Sequence, residues 1–291
     1  MGKTVILTDA ACDISKEQEH ELGIKIVPFK VAVGDKSYLP RVDIDNFEFY
    51  KVMDAYEGIP ATSQVTTLDW FEAYEKLAQD KEVTDIINVT ISSHGSATYN
   101  NAVIAKKDFF SKYKEREKDL NIHVIDSDNY TGVYGYAVVQ AAIKANSGVP
   151  ATQIIAFIND WLKSAYVLFA CYNLKYAKKS GRISAAAAFA GELLGLKPIL
   201  KISHGVSSIL KKVRGEKAII PTILEIAKDD MIPKTPYVII WGSDETLKND
   251  IAKAMEKAVG YPPTDYIQVG AAVACNAGHR VAGVVIKGNS E

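Results

Sequence analysis

Three observations predict an α/β architecture in two parts. Short β-rich runs alternate with helical patterns through the first half of the chain, and the grammar changes after Gly148-Val149-Pro150. A length of 291 residues with 48% hydrophobic content supplies enough apolar material for two ordinary cores. We therefore expect a parallel-sheet α/β domain over residues 1–150 and a second domain over residues 151–291. The cleft between them is the default ligand site.

The chain opens with a strand, Thr4 to Thr8, then a helix from about Ile14 to Leu22 with Asp13 as its cap and Gly23 as its stop. Lys25 to Leu39 reads as a strand pair broken at Gly34-Asp35, and helices follow near Asn46 to Ala55 and Leu68 to Gln79. The strand Asp85 to Ile91 leads through Ser92-Ser93-His94-Gly95-Ser96 into a helix reaching about Lys118. Ile122 to Ile125 leads similarly into the helix Tyr130 to Ala145. Beyond the boundary, a helix from Thr152 to Ser164 precedes a strand from Tyr166 to Cys171 and two short helices around Arg182. Ile199 to Ile202 and Ser207 to Val213 form a hairpin turning at His204-Gly205. Tyr237 to Trp241, Tyr266 to Ala274 and Val281 to Lys287 are further strands, with helices Ala218 to Lys228 and Thr246 to Ala258 between them.

Charge and cysteine usage narrow the function classes. With 34 basic against 35 acidic residues, no global field favours nucleic acid or an anionic membrane. Cys12, Cys171 and Cys275 are odd in number and form no CxxC pair, which argues against a disulfide framework or a zinc site and fits a reducing cytoplasm. The N-terminal apolar run is too short for a signal peptide, and no later run has the length to cross a bilayer, so a soluble protein is expected. GxxxxGK[ST], GxGxxG and HExxH are all missing, so nucleotide and metalloprotease readings lack their minimum parts.

Several constellations are candidates for chemistry. Ser92, Ser93 and Ser96 stand where a strand ends and a helix begins, a place where free backbone N–H groups and the helix dipole favour a carboxylate or phosphate; ordinary helix capping needs the same serines. Ala61-Thr62-Ser63-Gln64 offers two hydroxyls and an amide ahead of another helix, suited to an anion that must not be trapped in a permanent salt bridge, and equally a plain polar loop. Asp9 and Asp126 sit just beyond parallel strands, where ligand sites of open α/β sheets gather, and could orient hydroxyls or meet a phosphoryl group through a metal, or equally cap the following helices, as is expected of Asp13 and Asp128. Lys175 to Arg182 carries four cations in eight residues: Arg182 would neutralise a phosphoryl group, and the lysines would form a docking face for an acidic partner or a solvated helix face. The almost wholly apolar stretch from Ile183 to Leu200 suits either an acyl tunnel or a packed core. Of the five histidines only His94 falls inside a candidate anion site.

Taken together and in order, Thr8-Asp9, Thr62-Ser63-Gln64, Ser92-Ser93 with Ser96 and Thr98-Tyr99, Asp126-Ser127, Lys178 to Ser184 and Lys197-Pro198-Ile199-Leu200 resemble the DegV family of bacterial fatty-acid-binding proteins across nearly the whole chain. The resemblance implies an N-terminal parallel α/β domain, a C-terminal mixed α/β domain and a long-chain fatty acid whose carboxylate lies between them. Thr62 and Ser93 would hydrogen-bond that carboxylate, with Ser63, Ser92 and Ser96 in support and Arg182 nearby. It further implies a non-catalytic carrier without a cofactor, which presents the acid to a partner fatty acid kinase and carries the acyl-phosphate. The sequence departs from the family pattern in places. Asn276 stands where the family has a histidine, and an amide donates a hydrogen bond but cannot become a cation near neutral pH; His279 follows three residues on. Val65 replaces a proline, Gly95 a leucine, Ala97 a glycine and Ser180 a glycine.

Two other functions stay in view. One is a stand-alone acyl or phosphoryl ester hydrolase, with Ser93 or Ser96 as nucleophile and His94 or His279 as base, although no GxSxG elbow is present. The other is a lipid-sensing regulatory protein, which Asn276 favours.

Overall fold

A computed structural model describes residues 2–189 and 195–289, and its architecture is the expected α/β arrangement with two principal sheets. Strand β1 (Lys3–Asp9) runs into a 3-10 turn, Ala10–Cys12, and then α1 (Lys16–Leu22). Ser15 rather than Asp13 caps α1, because the intervening turn carries Asp13 into the interior. The Ser15 hydroxyl accepts from Gln18 N–H while the Gln18 side chain accepts from Ser15 N–H, a reciprocal capping box.

The segment expected to be one strand pair contains three strands in two sheets. β2 (Lys25–Val27) joins β1 in parallel and stops at Pro28, which has no N–H to continue a ladder. β3 (Lys30–Val33) and β4 (Lys36–Tyr38) then form the hairpin around Gly34-Asp35. After α2 (Asn46–Ala55), β5 (Ala61–Ser63) pairs with β3, so the Thr62 segment is a short edge strand and not a loop. α3 (Thr67–Ala78), β6 (Val83–Thr90), α4 (Thr98–Lys112), β7 (Asn121–Asp126) and α5 (Gly132–Asn146) follow. α4 ends at Lys112, and the remainder of the helix expected to reach Lys118 is a 3-10 turn, Lys114–Lys118. The parallel sheet has the order β2-β1-β6-β7 and the small sheet the order β4-β3-β5.

Beyond residue 150 come α6 (Ala151–Ser164), β8 (Ala165–Cys171), α7 (Lys175–Ser180), α8 (Ser184–Ala187), β9 (Leu196–Ser203) and β10 (Val206–Arg214). They are followed by α9 (Ile219–Asp230), β11 (Val238–Trp241), α10 (Glu245–Val259), β12 (Asp265–Gln268), α11 (Ala271–Ala277) and β13 (Val281–Lys287). The strand expected over Tyr266 to Ala274 stops at Gln268, and from Ala271 the chain is helical, since an unbroken apolar run carries no period that separates strand from helix. The six strands take the order β10-β9-β8-β13-β11-β12, antiparallel except for β11 and β12.

This sheet is apolar on both faces. Val167, Phe169 and Cys171 of β8 belong to a core shared with the parallel sheet, while Tyr166, Leu168, Ala170 and Tyr172 join a second core under α9 and α10. Alternation along a strand buried on both faces therefore reads in sequence as a continuous hydrophobic run. Val167 and Phe169 on the inner face line a cavity.

Candidate functional site

The serine segment is held by carboxylates from neighbouring strands. Asp9, fully buried at the end of β1, accepts Ile91 N–H at 2.7 Å, Ala11 N–H at 3.1 Å and the Tyr134 hydroxyl at 2.7 Å. Asp126 at the end of β7 accepts Ser93 N–H at 3.1 Å and Asp128 N–H at 2.9 Å. Ser92 N–H goes to Asn129 O, His94 N–H to Ser92 Oγ and Gly95 N–H to Ser92 O. The expected array of free backbone N–H donors is therefore absent from Ser92 to Gly95: the turn consumes them, and α4 begins only at Thr98. The loop is therefore left with side chains to offer to a ligand.

A second set of bonds clamps the Thr62 strand to this loop. Val65 N–H donates to Thr98 Oγ1 at 3.2 Å, the Asn101 amide donates to Val65 O at 2.7 Å, and Trp70 Nε1 donates to Thr98 O at 3.1 Å. Valine at position 65 supplies an N–H that proline would lack. The same Thr98 hydroxyl lies 2.8 Å from Ser96 Oγ, so the two hydroxyl-bearing segments are coupled through one threonine.

Between these segments and the inner face of the six-stranded sheet lies a cavity of about 380 Å³. Thr62, Gln64, Ser93, Ser96, Arg182 and Asn276 line its polar part together with His94, Tyr130 and Thr131. Apolar walls come from Val167, Phe169, Ile202, Ile240 and Val281, and from Ala272, Val273 and Ala277 of α11. Of the stretch from Ile183 to Leu200, Ile183 lines the cavity, Ile199 and Leu200 belong to the two cores, and Leu193 and Leu194 lie outside the described residues.

The sequence candidates divide accordingly. Thr62, Ser93, Ser96, Arg182 and Asn276 are brought together at the cavity. Ser63 is exposed on β5, as the alternation of a strand requires when Thr62 faces inward. Ser92 is buried behind the loop, and Asp126 supports it through Ser93 N–H. The exposed Arg182 donates from Nη1 to Ser180 O at 2.9 Å, and the Asn276 amide donates to Ala272 O at 2.9 Å. His279 does not line the cavity: Asp54 lies 2.7 Å from its Nε2, Ser243 2.8 Å from its Nδ1, and its ring stacks on Tyr50.

Asp128 caps no helix. It adopts φ 52° and faces two histidines, with His94 Nδ1 at 3.0 Å and His204 Nδ1 at 3.4 Å. Gln64, the amide of the Thr62 segment, lines the cavity, whereas Tyr130 and His204 carried no functional signal in the sequence; Gly95 was the available hint for Tyr130, because a Cβ there would fall 2.6 Å from the tyrosine hydroxyl.

Burial sets the protonation chemistry around the site. It pushes Asp9 up to about 6 and Asp13 up to about 7, and it raises Tyr130. Each cysteine is buried, and burial drives its thiol to about 12, so none is a nucleophile near neutral pH. No group of histidine, cysteine and carboxylate side chains among the described residues is arranged to hold a metal ion, and no helix among them is long and apolar enough to cross a membrane. The arrangement can hold a compact acceptor of several hydrogen bonds at one end and a hydrocarbon at the other.

Comparison with known proteins gives a consistent picture. The family model "Uncharacterised protein, DegV family" matches residues 3–288. A DegV domain-containing protein of Caldanaerobacter subterraneus subsp. tengcongensis is 30% identical over 287 residues, 98% of each chain. A stearic acid-binding protein from Eubacterium ventriosum superposes with a TM-score of 0.87 at 26% identity, over 99% of this chain and 98% of that one. The fatty-acid-binding DegV family protein from Thermus thermophilus shares the fold with a TM-score of 0.83 at 23% identity, over 99% and 100% of the two chains.

Proposed function

Because the chain belongs to the DegV family, we propose that it is a cytoplasmic carrier of one long-chain fatty acid, held in the cleft between domains 1–150 and 151–291. The observation that carries this reading is a single cavity of about 380 Å³ with hydroxyl donors on one wall and the apolar inner face of a sheet along the rest. Thr62 and Ser93 donate to the carboxylate, Ser96 and Asn276 complete the donor set, and Arg182 balances its charge. Ser92 and Asp126 act from behind, while Ser63 faces solvent. Hydroxyls suit a ligand that must be released, since they satisfy the oxygens without the full attraction of a buried ion pair.

Organic extraction of freshly purified protein followed by mass spectrometry is expected to yield fatty acid. Thr62→Ala combined with Ser93→Ala is expected to weaken binding by roughly 1 to 3 kcal/mol, the scale of hydrogen bonds to a charged group, with a smaller change in stability. Folded protein that neither contains nor takes up fatty acid would exclude the carrier reading.

We further propose that the carrier presents the carboxylate to a fatty acid kinase and retains the acyl-phosphate, without catalysing the transfer itself. The geometry supports a non-catalytic role, because among the described residues neither Ser93 nor Ser96 is hydrogen-bonded to a histidine. His94 Nδ1 is turned to Asp128 and lies 3.4 Å from Ser92 rather than Ser93, Ser96 is paired with Thr98, and His279 is tied to Asp54. Arg182 is the cation at the cavity wall, so Arg182→Ala is expected to lower phosphoryl acceptance at least tenfold while fatty-acid affinity falls less. Equal losses in a labelled-ATP assay on preloaded carrier would count against that role.

A further inference from the structure

The turn between β9 and β10 reaches across the cleft and rests on the serine loop. His204 and Gly205 both have left-handed backbones, with φ of 48° and 71°, as a two-residue hairpin turn of this hand requires. Gly205 packs so closely that a Cβ there would fall 2.4 Å from His94 Nδ1 and 2.8 Å from Ser92 Oγ. The contact brings His204, from one half of the molecule, to the carboxylate that already holds His94 from the other.

This cluster borders the polar part of the cavity, because His94 is itself a lining residue beside Ser93, Tyr130 and Arg182. The charged and titratable groups around His94 come from each element packed on it. Asp128 and Tyr130 lie on the loop after β7, Asp126 lies at the end of that strand, His204 on the hairpin and Arg182 on the segment joining α7 to α8. With both imidazoles neutral the cluster is anionic and repels a carboxylate bound beside it; with both protonated it is cationic and attracts one. Asp128 also fixes the His94 ring through Nδ1, leaving Nε2 without a hydrogen-bond partner among the described residues.

We propose that His94, Asp128 and His204 form a proton-linked anchor for the ligand head group, in which uptake of protons by the two histidines both tightens the hold on a carboxylate and holds the hairpin against the serine loop. The proposal rests on the fatty-acid reading and adds to it how the ligand's retention is regulated. By linkage, a carboxylate that binds the protonated cluster more tightly raises the cluster's own proton affinity, and its binding weakens as pH rises. A ligand with the same chain and a neutral head group has no such coupling.

The test compares palmitic acid with 1-hexadecanol on the delipidated full chain at pH 6, 7 and 8 and constant ionic strength, a range above the ordinary titration of a carboxyl group. Palmitate affinity is expected to fall roughly tenfold from pH 6 to pH 8, the effect of a fraction of a proton taken up per ligand, while hexadecanol affinity stays within twofold. His94→Gln with His204→Asn is expected to reduce the palmitate ratio below threefold; both positions are exposed, and asparagine tolerates the left-handed backbone at 204. Asp128→Asn, which keeps the side-chain shape in another left-handed position, is expected to raise palmitate affinity at pH 8. The same pH ratio in parent and double variant, or an equal ratio for palmitate and hexadecanol, overturns the proposal. Binding of neither ligand at any pH overturns the fatty-acid reading along with it.

Discussion

At the polar end of the cavity, Ser92 to Gly95 commit their backbone N–H groups within the loop and to its neighbours, so recognition falls to side chains. Along the apolar end, Val167, Phe169 and Ile202 project from strands whose backbone groups are already paired in the sheet, and recognition falls to buried area. The first end depends on a few bonds placed by long-range contacts. The second depends on volume and is robust to the loss of any one bond. Substitutions that fill the cavity and exclude several methylenes should therefore cost far more than those that remove one donor, because burying each methylene of an acyl chain contributes about 0.8 kcal/mol, comparable to one neutral hydrogen bond.

Filling the apolar end is the strongest way to break this contrast. Ala272 on α11 lines the cavity and is buried, so Ala272→Phe would place a ring in the path proposed for the acyl chain. We expect a loss of at least a hundredfold in fatty-acid affinity, about 3 kcal/mol, exceeding the loss from Thr62→Ala or Ser93→Ala made alone. Calorimetric titration together with a melting curve checks it: unchanged affinity in a folded variant would mean that the acyl chain takes another route.

The two ends meet at Asp13, and a stability measurement can sharpen where one stops. Thr131, which lines the cavity, donates its hydroxyl to Asp13 at 2.6 Å, and the backbone of Gly270, which starts α11, packs against the same carboxylate. Burial raises Asp13 from 3.8 to about 7 and Asp9 from 3.8 to about 6. The folded state thus binds these protons more tightly than the unfolded state, so stability is lost as pH rises from about 4 through about 7 and is flat above. Between pH 5 and pH 8 the two groups together should remove roughly 4 kcal/mol, read by urea unfolding. Asp13→Asn should lose clearly less over the same range, and an identical slope in the variant would show that Asp13 is ionised throughout.

How much of this was legible follows the same division. The apolar end was readable as elements: the runs Tyr166 to Cys171 and Val281 to Lys287 are strands, and the Gly148-Val149-Pro150 break separates the strands of the parallel sheet from those of the six-stranded one. The error at Tyr266 to Ala274 has the same origin, since Gly270 begins a helix in a run whose apolar residues fit either period. At the polar end Thr62, Ser93, Ser96, Arg182 and Asn276 were singled out and do meet at one cavity. Their surroundings were not legible. Asp128 was expected to cap a helix because its partners, His94 and His204, are reached only through the fold, and β5 was missed because three residues of edge strand have no periodicity to show.

Ser63 and Ser92 give the smallest and most discriminating comparison. Neither lines the cavity, and both were expected to support the head group, but they stand in different relations to it. Ser63 is exposed on the outer side of an edge strand, and Ser63→Ala removes a hydroxyl that already faces water. Ser92 is fully buried, its hydroxyl accepts His94 N–H at 3.2 Å, and Gly205 of the hairpin packs against it. Ser92→Ala leaves the His94 N–H without that acceptor, so the loop that carries Ser93 and His94 must readjust, at a cost of about 1 kcal/mol. We expect fatty-acid affinity to change less than twofold in Ser63→Ala and to fall about fivefold in Ser92→Ala, measured by displacement of a fluorescent fatty acid. Equal, larger losses in both would mean that the ligand reaches the outer face of β5, and the polar end would then extend beyond the cavity onto the surface.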